Sequence, residues 1–87
     1  MFLHLGGEII VPLKDVVAIM DVKTRNNSES TAEFLTVAEE EGFVVHLGGK
    51  VHSFVVTTDK VFLSPISTAT LRKRAIEGGL QWTAASG

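Results

Sequence analysis

Ser64-Pro65-Ile66-Ser67-Thr68-Ala69-Thr70-Leu71-Arg72-Lys73-Arg74 carries the chain out of an apolar strand and into a helix. Its reading decides the fold, because it requires a strand and a helix joined by a tight link. The hydroxyls and free backbone N–H groups of a helix N-terminus suit an oxyanion, and Arg and Lys one turn later could supply the counter-charge. Nucleic-acid phosphate is therefore one candidate partner. The same residues also describe an ordinary helix, in which Ser and Thr cap the start and cations near the end relieve the macrodipole.

On a helical wheel Leu71, Ala75 and Ile76 form an apolar stripe, while Thr70, Lys73, Arg74 and Glu77 point elsewhere. Three successive cations cannot share one face. Gly78-Gly79 is expected to end the helix. Leu80 to Gly87 holds no charge and little periodicity, so residues 78–87 read as a flexible tail in which Trp82 alone has an anchor's character. Residues 1–77 read as one domain, which is all that a chain of 87 residues has room for.

Upstream of the opening stretch, Val61 to Ser64 is a short strand. Phe43 to Leu47, Gly48-Gly49 and Val51 to Thr58 have the grammar of a glycine-turn hairpin, as do Phe2 to Leu5, Gly6-Gly7 and Glu8 to Leu13. Pro12 marks a strand end or edge, and Lys14-Asp15 makes a polar corner. Val16-Val17-Ala18-Ile19-Met20 reads as a continuous buried strand, and Thr24 to Ser28 as a loop. Ser30 with Glu33 forms a capping-box pattern and Gly42 supplies a stop, so a helix is expected over residues 31–41 with Phe34, Leu35 and Ala38 on its apolar face. The expected fold is α+β: a small antiparallel sheet of glycine-turn hairpins with two helices. His4-Leu5-Gly6-Gly7 recurs as His46-Leu47-Gly48-Gly49, but the halves share little else.

Composition narrows the function classes. Hydrophobic residues make up 45% of the chain, and a domain this small leaves part of that surface uncovered, which favours a homo-oligomer. Cysteine is absent, so disulfides, thiolate metal sites and cysteine nucleophiles are excluded. Met1-Phe2-Leu3-His4-Leu5 lacks the basic start of a signal peptide, and the apolar runs are too short to span a bilayer. A cytoplasmic protein without a membrane partner is expected. The formal net charge is −2, but its distribution is uneven. Residues 1–41 hold eight acids against Lys14, Lys23 and Arg25, whereas residues 42–87 hold Lys50, Lys60, Arg72, Lys73 and Arg74 against Asp59 and Glu77.

No catalytic constellation stands out. His4, His46 and His52 match no compact metal-ligand spacing, so no metal or other cofactor is expected. Ser64, Ser67 and Thr70 lack the surroundings of an activated nucleophile. Glu39-Glu40-Glu41 diverge by about 100° per residue on a helix and form no acid–base pair. The Gly-Gly pairs carry neither a Rossmann nor a P-loop fingerprint, and no small-molecule substrate is evident. Lys14, Lys50, Arg72, Lys73 and Arg74 remain as a thin nucleic-acid-binding set. Repetition of those cations in an oligomer would multiply phosphate contacts. The acidic end of the first helix, unfavourable against its own dipole, is a rival partner for the three consecutive cations across a subunit contact.

His4-Leu5-Gly6, Val16-Val17-Ala18-Ile19-Met20-Asp21, Val55-Val56-Thr57 and the Ser64-to-Arg74 segment together resemble the extracellular matrix regulatory protein family, RemA and RemB, and the RemB branch more closely. The resemblance runs from Met1 to about Ile76. It implies a bacterial, non-catalytic regulator of biofilm-matrix genes that assembles as a ring and presents basic loops to double-stranded DNA. The RemA-branch arginines fall where this chain has Lys14-Asp15 and Lys50-Val51. Lys14 and Lys50 could serve there; Asp15 and Val51 could not. Lysine lacks the planar fork of arginine and suits phosphate contact rather than base reading. Two readings stand: a DNA-contacting regulator, or an oligomeric structural or partner-binding member that has lost DNA binding.

Overall fold

Successive residues of a strand face opposite ways. Phe54 and Val55 are both buried, as are Val61 and Phe62, so the strands that carry them must be covered on both faces. The computed structural model describes residues 1–78 and meets this requirement with three layers. In chain order the elements are β1 (Phe2–Gly6), β2 (Ile9–Pro12), a 3₁₀ turn (Leu13–Asp15), β3 (Val16–Asp21), α1 (Thr24–Asn27), α2 (Glu29–Glu40), β4 (Val44–His46), β5 (Ser53–Thr57), β6 (Val61–Ser64) and α3 (Thr68–Glu77). The middle layer is a four-stranded sheet in the order β3-β5-β6-β4. Helix α2 covers one face, packing Leu35 and Ala38 on Phe54 and Val61. The β1–β2 hairpin and α3 cover the other, where Leu3, Leu5, Val11, Leu71 and Ala75 meet Ile19, Val55 and Phe62.

The α+β class and the first glycine hairpin match the sequence reading, with β1 antiparallel to β2. The second hairpin does not form. β4 runs parallel to β6, and β6 lies between β4 and β5, so the main sheet is mixed rather than antiparallel. Residues 47–52 are the reason. They arch over the end of β6, with the Leu47 N–H donating to Leu63 C=O at 3.1 Å and the His52 N–H to Ser64 C=O at 2.9 Å. A Gly-Gly pair permits a tight turn but does not oblige one, and here the strand after it finds a better partner in β6.

The helices correct the sequence reading in detail. Thr24–Asn27 forms a short helix where a loop was expected. One extended residue, Ser28, separates it from α2, so Ser28 and not Ser30 is the cap, accepting the Thr31 N–H at 3.2 Å. The stop at Gly42 is as expected: its φ is +79°, and the Phe43 N–H donates to Ala38 C=O while the Gly42 N–H donates to Glu39 C=O. This is the six-to-one and five-to-two pairing of a Schellman motif. Ser67 caps α3 as read, and Gly78 is its C-cap. Three side chains assigned to buried faces are exposed: Val17 at the bulge of β3, Phe34 on α2 and Ile76 on α3. In each case the wheel or the run was apolar enough, but no layer lies beyond it. The tail reading for residues 79–87, Trp82 included, lies outside the described residues.

Candidate nucleic-acid interface

Two fully buried serines hold the link from β6 to α3. Ser64 is fully buried; its hydroxyl donates to Leu5 C=O and accepts the Ile66 N–H at 3.0 Å. Ser53, also fully buried, donates to Ile66 C=O at 2.7 Å. Pro65 sits between the two glycine turns: a Cβ built on Gly6 would lie 3.2 Å from its Cδ, and one on Gly49 would lie 3.5 Å from its Cβ. The hydroxyls and proline of the opening stretch therefore join the hairpin, the arch and α3 at one point. At the helix start, Ser67 Oγ accepts the Thr70 N–H at 3.2 Å and donates to Thr70 Oγ1 at 2.9 Å. Both hydroxyls are engaged within the cap, which favours capping over an anion seat.

The five nominated cations do not converge. Lys14 lies in the 3₁₀ corner before β3, at the Thr57 end of β5, where the Thr58 N–H donates to Asp15 C=O at 3.0 Å. Lys50 lies in the arch over Pro65, at the Ser53 end. The length of β5, about 13–16 Å at 3.3 Å per residue, separates the two within one chain. Arg72 reaches across to β3, where its Nη2 donates to Ile19 C=O at 3.4 Å. Arg74 leans the other way, over β1, with Nη1 donating to His4 C=O at 3.4 Å. Both bonds are long and weak. Lys73 stands exposed between them.

All five cations are exposed, and none forms an ion pair among the described residues. Arg74 also borders an open cleft of about 580 Å³ with Phe2, His4, Gly6, Gly7 and Ile66, and no acidic side chain lines it among the described residues. The structure adds cations that sequence counting placed elsewhere. The Val22 N–H donates to His52 C=O at 3.1 Å, which brings α1, with exposed Lys23 and Arg25, to the end of the molecule that carries Lys50. Counting along the chain assigned these two to the acidic half; no linear signal would have regrouped them. Lys60 likewise joins Lys14 at the opposite end, but Asp15 and Asp59 stand beside it there. At the Lys50 end Asp21 stands beside Lys23, its Oδ1 accepting the Lys23 N–H at 2.8 Å.

No group of three or more His, Asp or Glu side chains that could hold a metal occurs among the described residues, and no helix among them is long and apolar enough to cross a membrane. Among the described residues the acidic end of α2 has one basic side chain within 4 Å, His46, whose Nε2 lies 3.7 Å from Glu39 Oε1. Both side chains are more than half exposed, so the pair contributes little.

Comparison with known proteins places these features. The model of a RemA-like family, described as extracellular matrix regulatory protein A-like, matches residues 2–75. Extracellular matrix regulatory protein B of Bacillus subtilis (strain 168) is 39% identical over 75 residues, covering 86% of this chain and 90% of that protein. The matched span takes in every strand and all but the last residues of α3.

Proposed function

Because the chain belongs to the RemA-like family of extracellular matrix regulatory proteins, we propose that it is a RemB-type regulator of biofilm-matrix genes. It works without catalysis, self-associates in the cytoplasm and contacts the DNA backbone through exposed basic loops. A family named for regulation points away from an enzyme. The observation that carries the reading is the set of exposed cations with no acidic partner among the described residues, led by Lys50 on the arch and Lys14 on the 3₁₀ corner. Arg72, Lys73 and Arg74 are second in line, because α3 splits them between two sides. Lysines on loops suit phosphate, and a few phosphate contacts per protomer bind weakly until an oligomer repeats them.

Titration of duplex DNA at two salt concentrations tests this. Affinity is expected to fall steeply with salt, and the double change Lys14→Glu, Lys50→Glu to reduce the slope by about 2, since each neutralised phosphate contributes about 0.9. No binding at low salt, or binding indifferent to salt, overturns it. A second reading is favoured by the exposed apolar side chains Phe34, Val37 and Phe43: an oligomeric structural or partner-binding member that does not bind DNA. Light scattering that shows a stable assembly, with no DNA bound at any salt concentration, selects that reading.

A further inference from the structure

Two exposed helical stripes of opposite charge lie on opposite layers of the molecule. On α2, Glu33, Phe34, Val37, Glu40 and Glu41 follow helical spacing along one side and are all exposed, with Phe34 at 46% and Val37 at 53%. Phe43, at 50%, extends the apolar part and shares with Phe34 a groove of about 430 Å³. On α3, Ala69, Arg72, Lys73 and Ile76 stand at i, i+3, i+4 and i+7 and are likewise exposed, with Ile76 at 58%. Arg72 lies opposite Ile19 of β3. α3 starts beside Met20 and Asp21 and ends with Gly78 against Leu13, so it runs against β3 and Ile76 lies toward the Val16 end of that strand, where Val17 is exposed.

Each stripe lacks what the other has. Glu39, Glu40 and Glu41 crowd the negative end of the α2 dipole, and His46 is their one ion-pair partner among the described residues. Among the described residues the α3 cations have only long bonds to carbonyls or none. The four-stranded sheet stands between the two helices, so one chain cannot bring them together.

We infer that a second copy of this chain is the partner of each stripe: the acidic, apolar side of α2 and its Phe43 groove seat the Arg72–Lys73–Ile76 side of α3 from the next copy. This rests on the self-association in the proposed function and names its contact. Two different patches meet, so the contact is heterologous and repeats from copy to copy, rather than pairing two copies by a two-fold axis. Apolar atoms (Phe34, Val37 and Phe43 against Ile76 and Val17) form its centre, and the charges select the partner and its direction.

Sedimentation of the full chain without DNA tests the contact. The double changes Glu40→Lys, Glu41→Lys and Arg72→Glu, Lys73→Glu should each weaken assembly at least tenfold while circular dichroism shows the wild-type fold. Mixed in equal amounts, the two variants should assemble again, because the two unchanged stripes meet at one junction and the two charge-reversed stripes, again opposite in sign, meet at the next. Assembly that survives both double changes, or mixtures that stay dissociated, overturn this contact and leave self-association standing. A wild-type chain that remains monomeric at hundreds of micromolar overturns both. DNA is absent throughout, so failure of DNA binding is read separately.

Discussion

His4-Leu5-Gly6-Gly7 and His46-Leu47-Gly48-Gly49 are the same four residues in two different structures. The first closes an antiparallel hairpin; the second begins an arch from β4 over β6 to β5. Leu5 is fully buried between the hairpin and the sheet, whereas Leu47 is only partly buried. Gly6 has a φ of +126° and meets the Pro65 ring; Gly49 has a φ of +71° and more room. Positive φ is the common property, and glycine supplies it in both places. The path of the chain beyond each turn depends on which strand is available to pair.

The leucines should differ most. Leu5→Ala is expected to destabilise by about 2–5 kcal/mol, as for a fully buried leucine, and Leu47→Ala by clearly less. Denaturant titration reads both, and equal losses would mean that the two turns bear equal load after all. The glycines come next. Gly6→Ala combines a glycine-only backbone region with a close approach to Pro65 and should lose about 2–3 kcal/mol, against about 1–2 for Gly49→Ala, where the left-handed penalty acts nearly alone. Thermal melts of the two variants would rank them.

Ser64→Ala sharpens the contrast from the other side. It leaves the buried Leu5 C=O and the Ile66 N–H without their hydroxyl partner, a loss of about 1–3 kcal/mol. The damage should be local to the first turn: hydrogen exchange should speed up in β1 and at the start of α3 before it does in the arch. The histidines should differ least. His4→Ala and His46→Ala are both exposed changes and should each lie within about 0.5 kcal/mol of wild type. A larger loss at His46 would give the Glu39 pair an importance that its exposure argues against.

Much of this was legible along the chain. The Ser67 cap, the Gly42 stop, the first hairpin and the family resemblance all rest on short-range signals, and all are found. The misreadings share a cause. Ser30 lost to Ser28 because a short helix ran up to Asn27. Phe34 and Ile76 lie on the apolar side of their wheels but beyond the layer that those helices cover. The nominated cations were grouped by position in the chain, whereas the fold sets Lys14 and Lys50 at opposite ends of β5 and brings α1 to the Lys50 end.

By itself the sequence determined where the chain turns, where its principal helices stop and which family it belongs to. Those depend on a residue's own φ preference, on hydroxyls three positions from an N–H and on a pattern matched residue by residue. Tertiary structure alone decided that β4 pairs with β6 in parallel, that Pro65 joins two glycine turns of identical sequence and different path, and that the acidic and basic stripes lie on opposite layers. Strand pairing and burial are contacts between residues far apart in the chain, and their free energy depends on which partners are left to cover each face.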